Sequence, residues 1–151
     1  MIELYTDGAC RGNPGIGGWG CLILSGKQRF EGYGFEPNTT NNRMEIMAVI
    51  QGLTYLMKTS QVGTHVTVYS DSNYVIKAMS EWRFGWAKKS WRNAQNKPVK
   101  NKDMWIELID LADKFTVTWR WVKGHSGHEY NEHVDQLANR AIDERETHKW
   151  L

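Results

Sequence analysis

Four acidic residues, far apart along the chain, have the types and positions needed to bind divalent cations together. Asp7 and Asp71 each come at the end of an apolar run that is typical of a β-strand. Glu45 and Asp135 lie near the starts of two segments with helical periodicity, beside the faces that pattern as buried. If the two strands are neighbours and the helices pack on them, the four carboxylates meet.

Carboxylates that close repel one another, and each tends to keep a proton unless a cation lies between them. Hard divalent ions bound through oxygen, above all Mg²⁺, remove this repulsion. Two such ions about 3.5–4 Å apart can activate a water and stabilise the leaving oxygen of a phosphodiester. Softer metals fit less well, because no thiolate and few imidazoles join the set.

Each acid also has an ordinary explanation when it is taken alone. Asp7 can simply open a turn before Gly8, and Asp71 can cap the helix that follows it. Glu45 can be a first-turn acid favoured by the helix dipole. The shared site therefore depends on the order of the strands.

The elements that would position these acids follow from periodicity and turn signals. Alternation and β-branched runs predict strands over residues 2–8, 19–24, 29–35, 66–70 and 116–122. Apolar residues at helical spacing predict the main helices over about 46–59, 103–112 and 131–144. Residues 8–20, rich in glycine, are predicted to be a tight turn, and residues 37–42 a polar loop whose Thr or Asn caps the next helix.

This order predicts an α/β fold with one mixed five-stranded sheet and helices on both faces. Strands 1 to 3 form antiparallel hairpins, and helical crossovers make strands 1, 4 and 5 parallel. The 151 residues contain no repeat or long linker, so a single domain spanning 1–151 is expected.

Composition indicates a cytoplasmic protein with no membrane segment. No apolar run approaches the roughly 18 residues of a membrane span, and residue 1 leads directly into a strand pattern, with no signal peptide. Cys10 and Cys21 have no metal-type spacing and are interpreted as reduced thiols.

The charge of the chain is distributed unevenly. Residues 83–102 contain seven basic residues and no acid, although the whole chain has a formal net charge of only +2. Trp82, Trp86 and Trp91 interleave with these cations, a pattern that favours contact with phosphates and with sugars or bases. The alternatives are a solvated basic face and tryptophans that belong to the core.

Histidines cluster in the polar stretch that precedes the last helix. The spacing of His128 and His133 is one residue too long for an HExxH zinc motif. His125 lies between glycines and near the predicted carboxylates, which suits proton transfer, although a solvated loop histidine is the alternative.

With these residues in place, the chain resembles a type-1 ribonuclease H of the compact bacterial kind with a basic protrusion. The resemblance covers nearly the whole chain and rests on segments in the family's order. They are Tyr5-Thr-Asp-Gly-Ala-Cys-Arg-Gly-Asn-Pro-Gly, Thr39-Thr-Asn-Asn-Arg-Met-Glu, Ser70-Asp-Ser, Pro98-Val-Lys-Asn, Trp121-Val-Lys-Gly-His-Ser-Gly-His, Asn131-Glu and Asp135.

The resemblance implies endonucleolytic cleavage of the RNA strand of RNA–DNA hybrids, leaving 3′-hydroxyl and 5′-phosphate ends. It implies a monomer that uses two Mg²⁺ ions when substrate is bound, with Mn²⁺ as a substitute. The implied metal-binding acids are Asp7, Glu45, Asp71 and Asp135, and His125 is the histidine implied to assist proton transfer or product departure.

The same resemblance implies a set of substrate-binding residues. Minor-groove contacts are implied for Asn13, Asn41, Asn42 and Asn73, and Glu45 is implied to meet a ribose hydroxyl. A pocket for a phosphate of the DNA strand is implied for Thr40 and Asn101. The deoxyribose channel is implied for Trp82 and Trp86. The basic protrusion is implied for Lys88, Lys89 and the further lysines to Lys102.

Two positions depart from the family pattern. Asn38 stands where many relatives carry an arginine of the phosphate pocket, and Asn73 stands where some relatives carry glutamine. Two other functions remain open at this point: a non-catalytic hybrid-binding module, and a DNA-acting nuclease or transposase core with the same fold.

Overall fold

The computed structural model describes residues 1–124 and 128–150, and in these residues five strands form one sheet. The strands are β1 (Ile2–Arg11), β2 (Gly15–Ser25), β3 (Gln28–Thr39), β4 (His65–Ser70) and β5 (Thr116–Trp121). The helices are α1 (Asn41–Thr59), α2 (Asn73–Lys77), α3 (Arg83–Trp86), α4 (Lys102–Ala112) and α5 (Glu129–Glu144). A π-helical turn, Ala78–Trp82, joins α2 to α3, and a 3₁₀ turn, Ala87–Lys89, follows α3.

The sheet has the strand order β3-β2-β1-β4-β5. The β1–β2 and β2–β3 pairs are antiparallel, whereas the β1–β4 and β4–β5 pairs are parallel. The predicted mixed sheet is therefore confirmed. The pairs with β4 and β5 are parallel because the preceding crossover brings the chain back to the same end of the sheet before each of these strands begins. None of the helices within the described ranges has both the length and the apolar character of a membrane span.

Helices cover both faces of the sheet, as the alternation of β1 requires. Leu4 faces a core shared with α1, where it meets residues such as Val49 and Leu53. Tyr5, the next residue, faces the opposite core, which is shared with Leu137 of α5. Successive residues of β1 thus bury their side chains on opposite faces of the sheet, against different helices.

The predicted turn over residues 8–20 is wrong. Both β1 and β2 continue into it, with Arg11 paired to Ile16, so that only residues 12–14 form the turn. Gly12, with a φ of +77°, serves this turn, whereas Gly8, Gly18 and Gly20 serve close packing. A Cβ built on Gly18 or Gly20 would overlap the α5 backbone, and a Cβ on Gly8 would overlap the α1 backbone.

Other boundaries shift by smaller amounts. The predicted loop 37–42 is not a separate loop. β3 extends to Thr39, Thr40 caps the next helix, and α1 begins at Asn41. The predicted cap is present: the Thr40 hydroxyl accepts a hydrogen bond from the Arg43 N–H at 3.2 Å. Ser72 caps α2 in the same way, by accepting from the Val75 N–H.

The C-terminal segment after α5 lies along the outer strand β3. Tyr33 and His148 exchange two backbone hydrogen bonds, each 2.8 Å long. The Trp150 ring stacks on Tyr55 of α1, with 4.4 Å between the ring centroids. This segment therefore ties α5, β3 and α1 together.

The close approach of α5 to the sheet gives a testable prediction for Gly18→Ala. The added methyl group would meet the Ala138 carbonyl, which belongs to a helix backbone and cannot rotate away. We expect the free energy of unfolding to fall by about 2 kcal/mol in urea denaturation, the usual cost of an overpacked core.

Gly85→Ala is the matched control, since nothing lies within 4 Å of a Cβ at Gly85. Alanine favours a helix over glycine by up to about 1 kcal/mol, so this variant should be as stable as the wild type or slightly more so. Equal stability of both variants would contradict the packing role of Gly18.

Candidate active site

Asp7 and Asp71 meet because the parallel pairing of β1 and β4 ends just before each of them. The last pair is Thr6 with Ser70, and β1 then continues alone beside β2. Asp7 is only 3 % exposed, and its Oδ1 accepts a hydrogen bond of 2.9 Å from the Gly8 N–H. Asp71 is half-buried in the bend before α2.

Glu45 joins these two acids because Gly8 leaves room for α1. The backbone of Met44 and Glu45 occupies the space where a residue other than glycine would place its Cβ. Glu45 is 6 % exposed even though it carries a carboxyl group. The helix therefore delivers an acid to the sheet surface at the position of Asp7.

Three carboxylates consequently form one compact group. Asp7, Glu45 and Asp71 each place a carboxylate oxygen so that all three oxygens lie within 4.8 Å of one another. Within the described residues, the buried Oε1 of Glu45 has no hydrogen-bond partner. A buried carboxylate oxygen without a donor is costly unless a cation binds it.

The electrostatics of the group have the same implication. Burial, followed by the nearby charges of Glu45 and Asp71, raises the pKa of Asp7 far above the ordinary carboxyl range. Burial and Asp71 raise the pKa of Glu45 as well. Three acidic oxygen donors at this spacing fit a hard divalent cation, which would stabilise their ionised forms.

Asp135 lies at the edge of this group and not inside it. It is half-buried, two turns into α5, and its carboxylate adds to the raised pKa of Asp7. The Asn139 side-chain amide donates to the Asp135 carbonyl at 3.0 Å and approaches its Oδ1 at 3.5 Å. The structure thus brings the fourth predicted acid beside the first.

His125 lies outside the described residues. The chain on its N-terminal side passes close to the acids, because a Cβ on Gly124 would lie 2.9 Å from Asp71 Oδ2. On its C-terminal side, His128 caps α5 by accepting from the Asn131 N–H at 3.4 Å. Its role in proton transfer stays a prediction.

The predicted asparagines collect near the starts of α1 and α2. Asn13 Oδ1 accepts a hydrogen bond of 3.0 Å from the Asn41 N–H, so the β1–β2 turn and the start of α1 lie together. Asn42 and Asn73 are exposed. Asn13 is therefore on the β1–β2 turn, and the other three asparagines are on the first turns of α1, which carries Glu45, and of α2, which follows Asp71.

A cavity of about 620 Å³ is lined mainly by residues 81–100, and Asn42 of α1 and Tyr74 of α2 complete its wall. Residues 83–102 form the basic segment. Trp82 is 43 % exposed on the cavity wall, whereas Trp86 is 7 % exposed and packs against Trp91 and Trp105. Trp86 is therefore largely a core residue, as one of the alternatives had it. Lys89 lines the cavity, and Lys88 is exposed outside it.

Arg43 is a residue of this region that the predicted site does not include. Its Nη1 donates to Asn101 Oδ1 at 3.2 Å, and its guanidinium pairs with both carboxylate oxygens of Asp103. Asn101 in turn donates to the Tyr74 hydroxyl at 3.2 Å. The available signal was an arginine in the first turn of a helix, where the dipole disfavours a cation without an acidic partner.

Comparison with known proteins places this site in a family. The family model described as RNase H matches residues 1–143. The ribonuclease H of Thiobacillus denitrificans is 51% identical over 142 residues, which cover 94% of this chain and 93% of the relative.

Solved structures agree with the sequence comparison. LC9-RNase H1, a type 1 RNase H with the type 2 active-site motif, is 29% identical with a TM-score of 0.88, over 99% of this chain and 76% of that one. LC11-RNase H1, solved in complex with an RNA/DNA hybrid, is 25% identical with a TM-score of 0.77, over 96% of this chain and 99% of that one. With its buried carboxylates on a mixed sheet of the same topology, the chain belongs to the ribonuclease H family.

Proposed function

We propose that residues 1–151 form a single ribonuclease H domain that hydrolyses the RNA strand of RNA–DNA hybrids endonucleolytically. The products would carry 3′-hydroxyl and 5′-phosphate ends. The observation that carries the proposal is the convergence of Asp7, Glu45 and Asp71 on one buried point. A structural module that only bound hybrid would gain nothing from burying three mutually repelling acids.

The ribonuclease H family is metal-dependent, and this chain has the acidic group to match. We propose that Asp7, Glu45 and Asp71, with Asp135 at the edge, hold two Mg²⁺ ions when substrate is bound. The donor set supports this choice, since among the residues that the structure describes it offers carboxylate oxygens and no thiolate or imidazole. When bound, such ions activate a water and stabilise the leaving oxygen of the phosphodiester.

The protein's own contribution is placement. Because β1, α1 and β4 hold the three acids on rigid elements, the carboxylates need little rearrangement when the phosphodiester arrives. We propose that His125, which lies outside the described residues, moves a proton in this reaction.

We propose that the asparagines around the acids read the minor groove. Asn13, Asn41, Asn42 and Asn73 offer amide donors and acceptors to ribose 2′-hydroxyls, which distinguish RNA from DNA. The positions of these residues support the proposal. Asn41 and Asn42 begin the helix that carries Glu45, and Asn73 follows Asp71 by two residues.

The DNA strand would be held further from the acids. Thr40 and Asn101 would bind one of its phosphates. Arg43, which is hydrogen-bonded to both, would supply a cation in place of one at Asn38. Trp82 would pack against deoxyribose, with Trp86 supporting the wall behind it.

We further propose that the protein acts as a monomer in the cytoplasm. Its cysteines, Cys10 and Cys21, are both free thiols, which suits a reducing compartment.

Asp7→Asn tests the site. Loss of one ionised ligand should lower hybrid cleavage by about three orders of magnitude, since metal stabilisation of the transition state is worth several kcal/mol. Hybrid binding should stay within about threefold of the wild type, because phosphate contacts dominate affinity. The measurement follows cleavage of one labelled strand, which is RNA in the hybrid and in duplex RNA and DNA in duplex DNA, with Mg²⁺ and with chelator.

Asp110→Asn is the control for Asp7→Asn. This exposed acid of α4 forms an ion pair with Lys114 and is not one of the predicted site residues, so its substitution makes the same change of charge outside the site. It should cleave hybrid at the wild-type rate. Cleavage by Asp7→Asn at that rate would refute the proposed site.

The raised pKa values of Asp7 and Glu45 predict a pH-dependent stability in chelator. Groups whose pKa is higher in the folded state stabilise it fully below their unfolded pKa, and this contribution is lost as pH rises. Asp7→Asn removes one such group, so its stability relative to wild type should increase from pH 5 to pH 9. Urea unfolding at several pH values measures this difference, and a constant difference would contradict the prediction.

The basic segment should act through phosphate contacts. The triple variant Lys88→Ala/Lys89→Ala/Lys97→Ala should raise KM more than it lowers kcat. The slope of log KM against log salt should flatten by roughly one unit for each lost phosphate contact.

The charge-matched control is Lys27→Ala/Lys58→Ala/Lys149→Ala, which removes three exposed lysines elsewhere. It should leave the salt slope close to that of the wild type. An identical slope in all three proteins would identify the basic segment as a solvated surface.

A further inference from the structure

Trp121 ends β5 at the same edge of the sheet as the acids. It pairs in register with Ser70, the residue before Asp71. Its indole Nε1–H donates a hydrogen bond of 3.0 Å to the Asp71 carbonyl oxygen. A tryptophan is thus attached to the backbone of a residue of the carboxylate group.

The remainder of this ring is turned to water. Trp121 is 48 % exposed, although it is a large aromatic side chain. Trp119, two residues earlier on the same side of β5, packs instead against the core under α1 and α4. The row of apolar side chains on this side of β5 therefore extends from the core, at Trp119, to the solvent-exposed ring of Trp121 beside the site.

The hydrogen bond also determines how the ring is presented. Indole has a single donor, and the Asp71 carbonyl uses it. The ring is consequently held in one orientation before any ligand arrives, so little conformational entropy remains to be lost when its exposed surface is covered. A rigid aromatic surface of this kind is typical of residues that bind nucleic acids.

The expected ligand follows from the proposed function, on which this inference rests. If the scissile phosphate lies over the three carboxylates, the groups nearest to a ring attached to Asp71 are the sugars on either side of that phosphate. Base faces are already stacked inside a duplex, whereas the apolar surface of a ribose in the minor groove is accessible.

We propose that Trp121 is a substrate-contacting residue. Its ring packs against a ribose of the RNA strand next to the cut, while its N–H holds the Asp71 carbonyl. Substrate binding and the placement of one metal-binding acid are thereby coupled through one side chain.

Two substitutions separate the two contacts. Trp121→Ala removes the ring and the donor, and should raise KM for hybrid about tenfold, within the range of aromatic stacking contacts in nucleic-acid binding. Trp121→Phe keeps an apolar ring and lacks the donor. It should return KM to within about threefold of the wild type. Because both variants lack the donor, both should lose roughly fivefold in kcat, the size of one neutral hydrogen bond.

Direct contact can be observed with 5-fluorotryptophan. The ¹⁹F resonance that is missing in Trp121→Phe identifies Trp121, and it should shift when hybrid is added with Ca²⁺ in place of Mg²⁺. The resonance of Trp150, which stacks on Tyr55 and lies beside Gly32 of β3, serves as an internal reference that should not move. This readout needs only the conservative variant, so it holds even if Trp121→Ala folds poorly.

Ile106→Ala, on α4 with the same 48 % exposure, is the control for loss of an exposed apolar side chain and should keep the wild-type KM. An unchanged KM in Trp121→Ala, an equal rise in Trp121→Phe, or a Trp121 resonance that hybrid does not shift would overturn the inference. If wild-type protein fails to cut hybrid, the proposed function fails instead.

Discussion

The repulsion among three clustered carboxylates, two of them buried, is the constraint on which the rest of this structure depends. Asp7, Glu45 and Asp71 are held closer together than ionised groups would remain in water, and two of them are almost fully buried. Their ionised forms need a cation, and their backbone supports must resist separation until it binds. The sheet and its two covering helices supply that resistance through packing that has nothing to do with the acids themselves.

Glycine provides much of this packing. Gly8 brings α1 against β1, and Gly18 and Gly20 bring α5 against β2. Both helices carry acids, so the distance from helix to sheet determines the distance from Glu45 and Asp135 to Asp7. A residue type usually associated with flexibility therefore sets the geometry of the site.

The parts of the site that lie in regular elements could be predicted from the sequence. The periodicity of β1 and β4, together with the crossover between them, was enough to place Asp7 beside Asp71. The glycines of residues 8–20 pattern as a turn because their packing partners are distant in the chain: Glu45 lies 37 residues after Gly8, and Ala138 lies 120 residues after Gly18. Local sequence cannot separate a glycine that turns the backbone from one that admits a helix. For the same reason the exposure of Trp82 and the burial of Trp86 had to come from the structure.

The segment that follows α5 has a consequence for solubility. β3 is an outer strand of the sheet, and an unpaired outer strand is a template for pairing between molecules. The backbone bonds between Tyr33 and His148 occupy part of that template, and the segment lies beyond the 143 residues that the family model matches. A short terminal extension can thus protect the fold against intermolecular β-sheet association without touching its chemistry.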